Sequence, residues 1–493
     1  MSAVERRPTI GRARPSVADK LNRATHGTLP VRRPRRHRMS TDKEANTPTE
    51  TEPVFGFLLL GGPLSGALVR DIRLANELAD RGYTVHVWWV VDRRRSSPLS
   101  AKIRQHWLFH GFRYSSSPRG SRIADAFGRL LTRFLHEKNR LRWLQKRHYV
   151  LDRVMKGIVR RVCDSVDGDR RLIRGFARSV AEARITHMLP MLSILCPWAI
   201  AVRRHVPGLK YLVTFQGYEL YVKYAKGIDR ERELDARLVG VVEESDWPAI
   251  AVSEDYLKRV VEDIGVPESS LRAIPPGIPA DFTRDREAAV EVLVSRFRGF
   301  RRDVPLITYL GRRDTEKGID LLLYAASILR RRGLDFQLTI CGPTLFGDHY
   351  GDICRQLAID LRCDVLWRDM VSDEIRSALF TASRCIVYPS VHREPFGMVA
   401  VEAQAHGTPA IVPDYGGIAS AIEANGSVGG LLFRAWDSAD LAAQIQRVLT
   451  DDKLHSRLSE AGPLVARYFS VGNLADRVLA HMGLASRPGD NDR

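Results

Sequence analysis

The sequence predicts an α/β protein built from two Rossmann-like halves, and three stretches carry that expectation. From Val54 the apolar run VFGFLLL passes through a small-residue loop into the amphipathic helix LVRDIRLANELADRG, ended by Gly82, and then into YTVHVWWVV. A second strand–glycine–helix unit opens at Pro305 with PLITYLGRRDTEKGIDLLLYAASILRRRG. The third stretch, Tyr388 to Glu423, places Glu394 before a Pro-Phe-Gly corner and an apolar helix after it. Strands alternating with helices give parallel sheets covered on both faces, whose ligands gather at the carboxyl ends of the strands.

Length and charge bound the rest. At roughly 150 residues per domain, 493 residues hold two or three domains. Of the net charge of +18, residues 1–52 carry about +6 and residues 119–184 about +11, so the remaining chain is nearly neutral. Six cysteines without a C-x-x-C pair or zinc spacing suit reduced thiols and a cytoplasmic setting. The apolar stretch Leu189 to Val202 falls short of the roughly 20 residues of a membrane span, so any membrane contact is expected to be peripheral.

In chain order, residues 1–52 read as a disordered basic tail without a secretory hydrophobic region. A transit peptide and a translation start at Met39 both remain open. Residues 53–290 form the expected first domain. Its loop glycines Gly61, Gly62 and Gly66 do not match G-x-G-x-x-G. Within it, residues 119–184 read as a basic helical insertion interleaved with Leu, Phe, Trp and Tyr. Two readings stand for that insertion: docking on an anionic membrane surface, where each Lys or Arg contributes about 1 kcal/mol, or a solvated helix packing one apolar stripe. Nucleic acid is not expected, because no recognised module surrounds the charges. Asp167-Gly168-Asp169 lies between two basic helical runs and reads as a turn, not a metal site. ARITHMLP returns to the sheet and sets His187 near a strand end; YLVTFQGYELY follows, and then a strand, Ser253, a helix and a Pro-Gly-Ile turn at Gly277.

The second domain is expected over residues 291–470, after a charged linker at about 283–303, with a terminal crossing helix and tail at 471–493. Its first strand ends in Gly311, with Arg312 and Lys317 flanking the loop that follows; FQLTICGPTLFGD is another strand and loop, with Gly342 at its exit. At the third stretch the amides of Phe396, Gly397 and Met398 lack intrahelical partners, a ready set of donors for a phosphate or a sugar hydroxyl. Glu402 is placed two turns into that helix, its carboxylate about 10 Å or more from the corner.

Glu394, seven residues and Glu402, with Pro-Phe-Gly after the first acid, together with HGTPAIV from His406 to Val412, the Tyr-Gly-Gly of Tyr415 to Gly417 and G-R-x-x-x-x-K-G from Gly311 to Gly318, resemble the retaining GT-B glycosyltransferases of family 4, glycosyl transferases group 1. The resemblance covers about residues 54–482 and is strongest over 306–423. It implies two Rossmann-like domains facing across a cleft, acceptor on the first and nucleotide sugar on the second, with no metal or other cofactor. It implies that Arg312 and Lys317 hold the diphosphate, Glu402 the ribose, and Glu394 with the amides of Phe396, Gly397, Met398 and Val399 the donor sugar. Gly311 and Gly342 border that pocket. His187, Gly62, Ser65, Gln216 and Glu219 face acceptor or phosphates. Gln216 stands where the family has His and Glu219 where it has Asp, and Gln cannot exchange protons near neutral pH. An acceptor hydroxyl on a glycan or a lipid-linked sugar, in cell-envelope or polysaccharide synthesis, is the implied partner. A GT-B epimerase or phosphorylase, and a membrane-associated scaffold that binds nucleotide sugar without transfer, stand as the alternatives.

Overall fold

The computed structural model describes residues 52–60, 65–90, 99–108, 170–220, 231–279, 282, 284–343 and 349–488. Gly62, the Asp167-Gly168-Asp169 turn and residues 119–169 of the basic insertion lie outside the described residues. Residues 52–493 form one compact unit.

Its first half runs β1 (Val54–Leu59), α1 (Gly66–Asp80), β2 (Thr84–Trp89), β3 (Arg104–Trp107), α2 (Arg170–Glu182), β4 (His187–Pro190), α3 (Cys196–Arg203), β5 (Lys210–Tyr211), β6 (Thr214–Phe215), α4 (Glu231–Glu243), β7 (Ala249–Ala251), α5 (Glu254–Ile264) and β8 (Leu271–Ala273). The strands pair in parallel in the orders β3-β2-β1-β4-β5 and β6-β7-β8. Phe55, Phe57, Leu58 and Leu59 of β1 are buried, which explains its unbroken apolar run: a central parallel strand is covered on both faces. The described end of the insertion, α2, buries Ile173, Phe176, Ala177 and Val180 and leaves Arg170, Arg171, Arg174 and Arg178 exposed.

The second half comprises α6 (Arg286–Arg296), β9 (Leu306–Leu310), α7 (Ile319–Arg331), β10 (Gln337–Cys341), α8 (Tyr350–Asp360), β11 (Val365–Arg368), α9 (Asp373–Ala382), β12 (Cys385–Val387), α10 (Met398–Ala405), β13 (Ala410–Pro413), the hairpin β14 (Glu423–Ala424) and β15 (Ser427–Val428), β16 (Gly430–Phe433), α11 (Ser438–Thr450), α12 (Asp452–Tyr468) and α13 (Val471–His481). Its parallel sheet has the order β11-β10-β9-β12-β13-β16, so successive strands are added on one side of β9 up to β11 and on its other side from β12 onward. The charged segment at 283–303 is not a linker throughout. Leu293 of α6 and Phe297, which follows it, share a core with Leu306 and Phe380, so the second half begins by Arg286, ahead of the expected boundary.

Helix α13 returns to the first half. Arg81 at the end of α1 reaches Asp476 at 2.5 Å and the Gly472 carbonyl at 2.9 Å, and Tyr83 donates to the Ala485 carbonyl at 2.6 Å. Helix α12, absent from the sequence-based expectation, packs along α10 and fixes the helix that carries Glu402.

Candidate functional site

The carboxyl ends of β9 and β12 mark the switch point of the second sheet, and the loops leaving them converge there. After β9 the chain makes a tight passage beside β10. A Cβ on Gly342, whose φ is +135°, would lie 1.8 Å from the Gly311 carbonyl oxygen, so only glycine allows this approach. The following loop ends in a short turn, Thr315–Lys317, that buries the Lys317 side chain.

There the Lys317 ammonium meets the Glu394 carboxylate, which also accepts from Ser390 Oγ at 2.7 Å; Glu316 lies 3.6 Å from the same ammonium. Both partners are over nine-tenths buried. Burial pushes the Glu394 carboxyl up, but Lys317, His392 and Ser390 together outweigh it and hold it below its ordinary value. Burial, the largest effect, opposes the Lys317 ammonium and Arg312 adds to that, but Glu394 and Glu316 together outweigh them and leave it raised. The pair is therefore charged at neutral pH. Arg312, the other cation of the loop, is engaged by Asp314 and Glu316. Both expected diphosphate ligands thus sit in one cluster, each held by carboxylates.

Helix α10 starts at Met398, after Gly397, four residues beyond Glu394. The corner is pinned: Gly417 N–H donates to the Glu394 carbonyl at 2.7 Å, and the Phe396 ring packs edge-on against Phe469 at 5.3 Å. Because the helix begins at Met398, Glu402 lies one turn in, not two, and about 6 Å along the axis. Its carboxylate is buried, with one oxygen on Arg73 at 2.7 Å and the other on Arg376 at 2.7 Å. Arg73 belongs to α1 of the first half and also donates to the Gly277 carbonyl at 3.3 Å. Neither arginine was singled out from sequence. The available signal was indirect: an acid inside an otherwise apolar helix needs a cation from elsewhere.

The first half closes directly on this corner. A Cβ on Gly217 would lie 2.3 Å from Pro395 Cγ, and one on Gly66 3.2 Å from Met398 Cε. Ser253 caps α5 and donates to the Pro395 carbonyl at 2.6 Å, while Arg393 pairs with Asp255. Ser65 Oγ caps α1, accepting from the Leu68 amide at 3.3 Å. The Gln216 amide donates to Asp71 at 3.1 Å and to the Met191 carbonyl at 2.7 Å.

Two expectations need correction. His187 opens β4 and pairs with Phe55 near the start of β1, so it sits at the amino edge of the sheet, away from the carboxyl edge that faces the cluster. It packs against Trp247 at 5.5 Å, and burial with the nearby Lys210 pushes its imidazole down to about 4. Glu219 does not face a ligand. One oxygen accepts from the Ser193 amide and hydroxyl, the other from the Gln216 and Gly217 amides and Tyr256 Oη, at 3.0–3.3 Å, and the side chain is fully enclosed. It shapes the loop that bears on Pro395.

Residues 294–465 match the family described as Glycosyl transferases group 1. The D-inositol 3-phosphate glycosyltransferase of Rhodococcus erythropolis is 32% identical over 256 residues, 50% of this chain and 55% of that protein. The chain thus spans about half the length of the curated relatives it matches. Among solved structures, sucrose-phosphate synthase from Thermosynechococcus elongatus aligns over 87% of this chain and 98% of its own, with a TM-score of 0.63 at 18% identity. The Anabaena protein HepE, in complex with UDP and glucose, aligns over 87% and 99% with a TM-score of 0.60 at 14% identity. The fold is the GT-B glycosyltransferase fold, and these likenesses together support the glycosyltransferase superfamily for this chain.

Proposed function

We propose that the chain is a retaining glycosyltransferase that moves a sugar from a nucleotide-sugar donor to an acceptor hydroxyl without a metal ion. The observation that carries the reading is the buried Lys317–Glu394 pair at the switch point, with Arg312 in the same loop and a start of α10 that no side chain caps among the described residues. Lys317 keeps further N–H donors while it holds Glu394, so it can take a phosphate oxygen too. The leaving diphosphate gains negative charge as the glycosidic bond breaks, and cations fixed in a dry cleft stabilise that charge most in the transition state. Each charge-assisted hydrogen bond contributes about 1.5–3 kcal/mol, so losing both cations would cost several powers of ten in rate.

In this reading Glu394 and the amides of Phe396, Gly397, Met398 and Val399 hold the donor sugar. Glu402 takes the ribose hydroxyls on the lone pairs its two arginines leave, since a carboxylate offers about four acceptor sites. The bond from the anomeric carbon to the phosphate oxygen breaks, the bond to the acceptor oxygen forms on the same face, and the departing phosphate oxygen takes the acceptor proton. The relatives' names include a D-inositol 3-phosphate glycosyltransferase and a sucrose-phosphate synthase, and HepE was crystallised with UDP and glucose. A glycan or lipid-linked acceptor in cell-envelope or polysaccharide synthesis completes this reading. The exposed arginines of α2 favour a peripheral position on an anionic membrane surface, facing the cytoplasm. Among the described residues no helix is long and apolar enough to cross a membrane.

Thermal unfolding against UDP-, GDP- and ADP-sugars tests the donor site. At 100 times Kd a ligand adds about 2.7 kcal/mol, a shift of several degrees. One donor should shift wild type and not Glu402→Ala, and Lys317→Ala should weaken nucleotide binding and lower turnover further. No shift with any donor overturns the reading. A second reading, a scaffold that binds donor without transfer, is favoured by Gln216, whose amide is occupied by Asp71 and the Met191 carbonyl. Donor binding without turnover on any acceptor would select it.

A further inference from the structure

The residue after the diphosphate arginine is itself unusual. Arg313 follows β9, is 4% exposed, and gives its Nη2 to Asp369 at the end of β11. Its Nε and Nη1 are buried and have no partner among the described residues. A buried donor left unmade costs about 1–3 kcal/mol, so each exception in a native protein calls for an explanation, of which an acceptor supplied by a ligand is one. Its surroundings are those of a ring-binding edge. The guanidinium lies 5.9 Å from the Trp367 ring centroid, the backbone N–H of Arg313 donates to the Pro343 carbonyl at 3.0 Å, and Met370 beside Asp369 is 74% exposed. An apolar side chain held out at the carboxyl end of a parallel sheet has no core to serve there.

Position orders the ligand. Lys317 and Glu394 lie beyond β9 and β12, whereas Arg313, Trp367 and Met370 lie on the side of β10 and β11. Two strand spacings are about 10 Å, the separation of a nucleotide's base from its diphosphate. Resting on the donor site proposed above, we infer that Arg313 reads the donor's base and that the edge formed by Arg313, Trp367 and Met370 takes an oxo base, guanine or uracil, over adenine. A guanidinium only donates. Guanine presents O6 and N7, and uracil O4, as acceptors, whereas adenine sets an amino donor beside N7. Asp369 is the positioning residue that holds the guanidinium from the solvent side, where the two arginines Arg313 and Arg355 share it.

The test is calorimetric titration of UDP, GDP and ADP into wild type, Arg313→Met, Arg313→Lys and Lys317→Ala, each shown folded by its thermal transition. Wild type should bind UDP or GDP at least tenfold more tightly than ADP. Arg313→Met should lose most of that preference, with ADP affinity changing less than threefold, and Arg313→Lys should regain part of it. ADP bound as tightly as the oxo nucleotides by wild type, or Arg313→Met weakening all three alike, would overturn the inference. If wild type binds and Lys317→Ala does not, while Arg313→Met keeps the preference, only the base assignment falls. If wild type binds none of the three, the transferase reading falls and takes this one with it.

Discussion

Replacing Lys317 by Met should destabilise the second half strongly, because it leaves the Glu394 carboxylate buried against Ser390 with its cation gone. Breaking a buried pair from one side costs about 3–5 kcal/mol. Each kcal/mol moves the melting temperature by roughly 2–4 °C for 150–250 residues and by less in a larger unit such as this one, so a fall of several degrees is expected. Replacing both partners, Lys317→Met with Glu394→Leu, removes the stranded charge, and the double variant should recover most of the loss. The sign with pH follows from Glu394. In wild type its carboxyl lies below its ordinary 4.5, so its contribution is present above that pH and lost as pH falls through the folded value. Without Lys317, burial alone would raise the group, so the gap between wild type and Lys317→Met should be largest at neutral pH and narrow below about pH 4.5. Urea or thermal unfolding of wild type, Lys317→Met, Glu394→Leu and the double variant at several pH values measures this. Additive losses, or a Lys317→Met variant within about 1 kcal/mol of wild type, would refute the argument that the pair is one buried unit.

Gly342→Ala should abolish the native second half, since its Cβ would sit 1.8 Å from the Gly311 carbonyl at a φ of +135°; a folded variant with a wild-type melting curve would contradict this. Glu219→Ala leaves the amides of Ser193, Gln216 and Gly217 without their acceptor, at about 1–3 kcal/mol each. It should lower stability with nucleotide affinity largely intact, and selective loss of ligand binding would show instead that Glu219 touches substrate. His86, His187 and His455 are each pushed down to about 4, chiefly by burial. The unfolded chain therefore binds more protons between about pH 6.5 and 4, and stability should fall as pH drops through that window. His187→Gln should reduce that slope, and an unchanged slope in a folded variant would show that His187 titrates normally.

Much of this protein is legible one residue after another. Periodicity locates β1, α1, β2, β9 and α10, because strand and helix repeats are local properties of the chain. The spacing of Gly311, Arg312, Lys317, Glu394 and Glu402 belongs to two loops and one helix start, so the residues of the cluster could be named before their contacts were known. What they touch is another matter. Lys317 and Glu394 are 77 positions apart and meet because β9 and β12 pair in one sheet, whereas Arg73 and Glu402 are 329 apart and meet only where the two halves close on each other. His187 was misplaced because a strand pattern fixes which residues extend but not which end faces the partner domain; parallel register with Phe55 decides that. Glu219, expected from the resemblance to face acceptor or phosphates, differs for a related reason: the position of an acid in a motif does not tell which amides fold around it. The chemistry of each side chain was determined by the sequence. Its neighbour, its burial and hence its charge state were decided by the tertiary fold, because desolvation and ion pairing depend on distances that chain order does not contain.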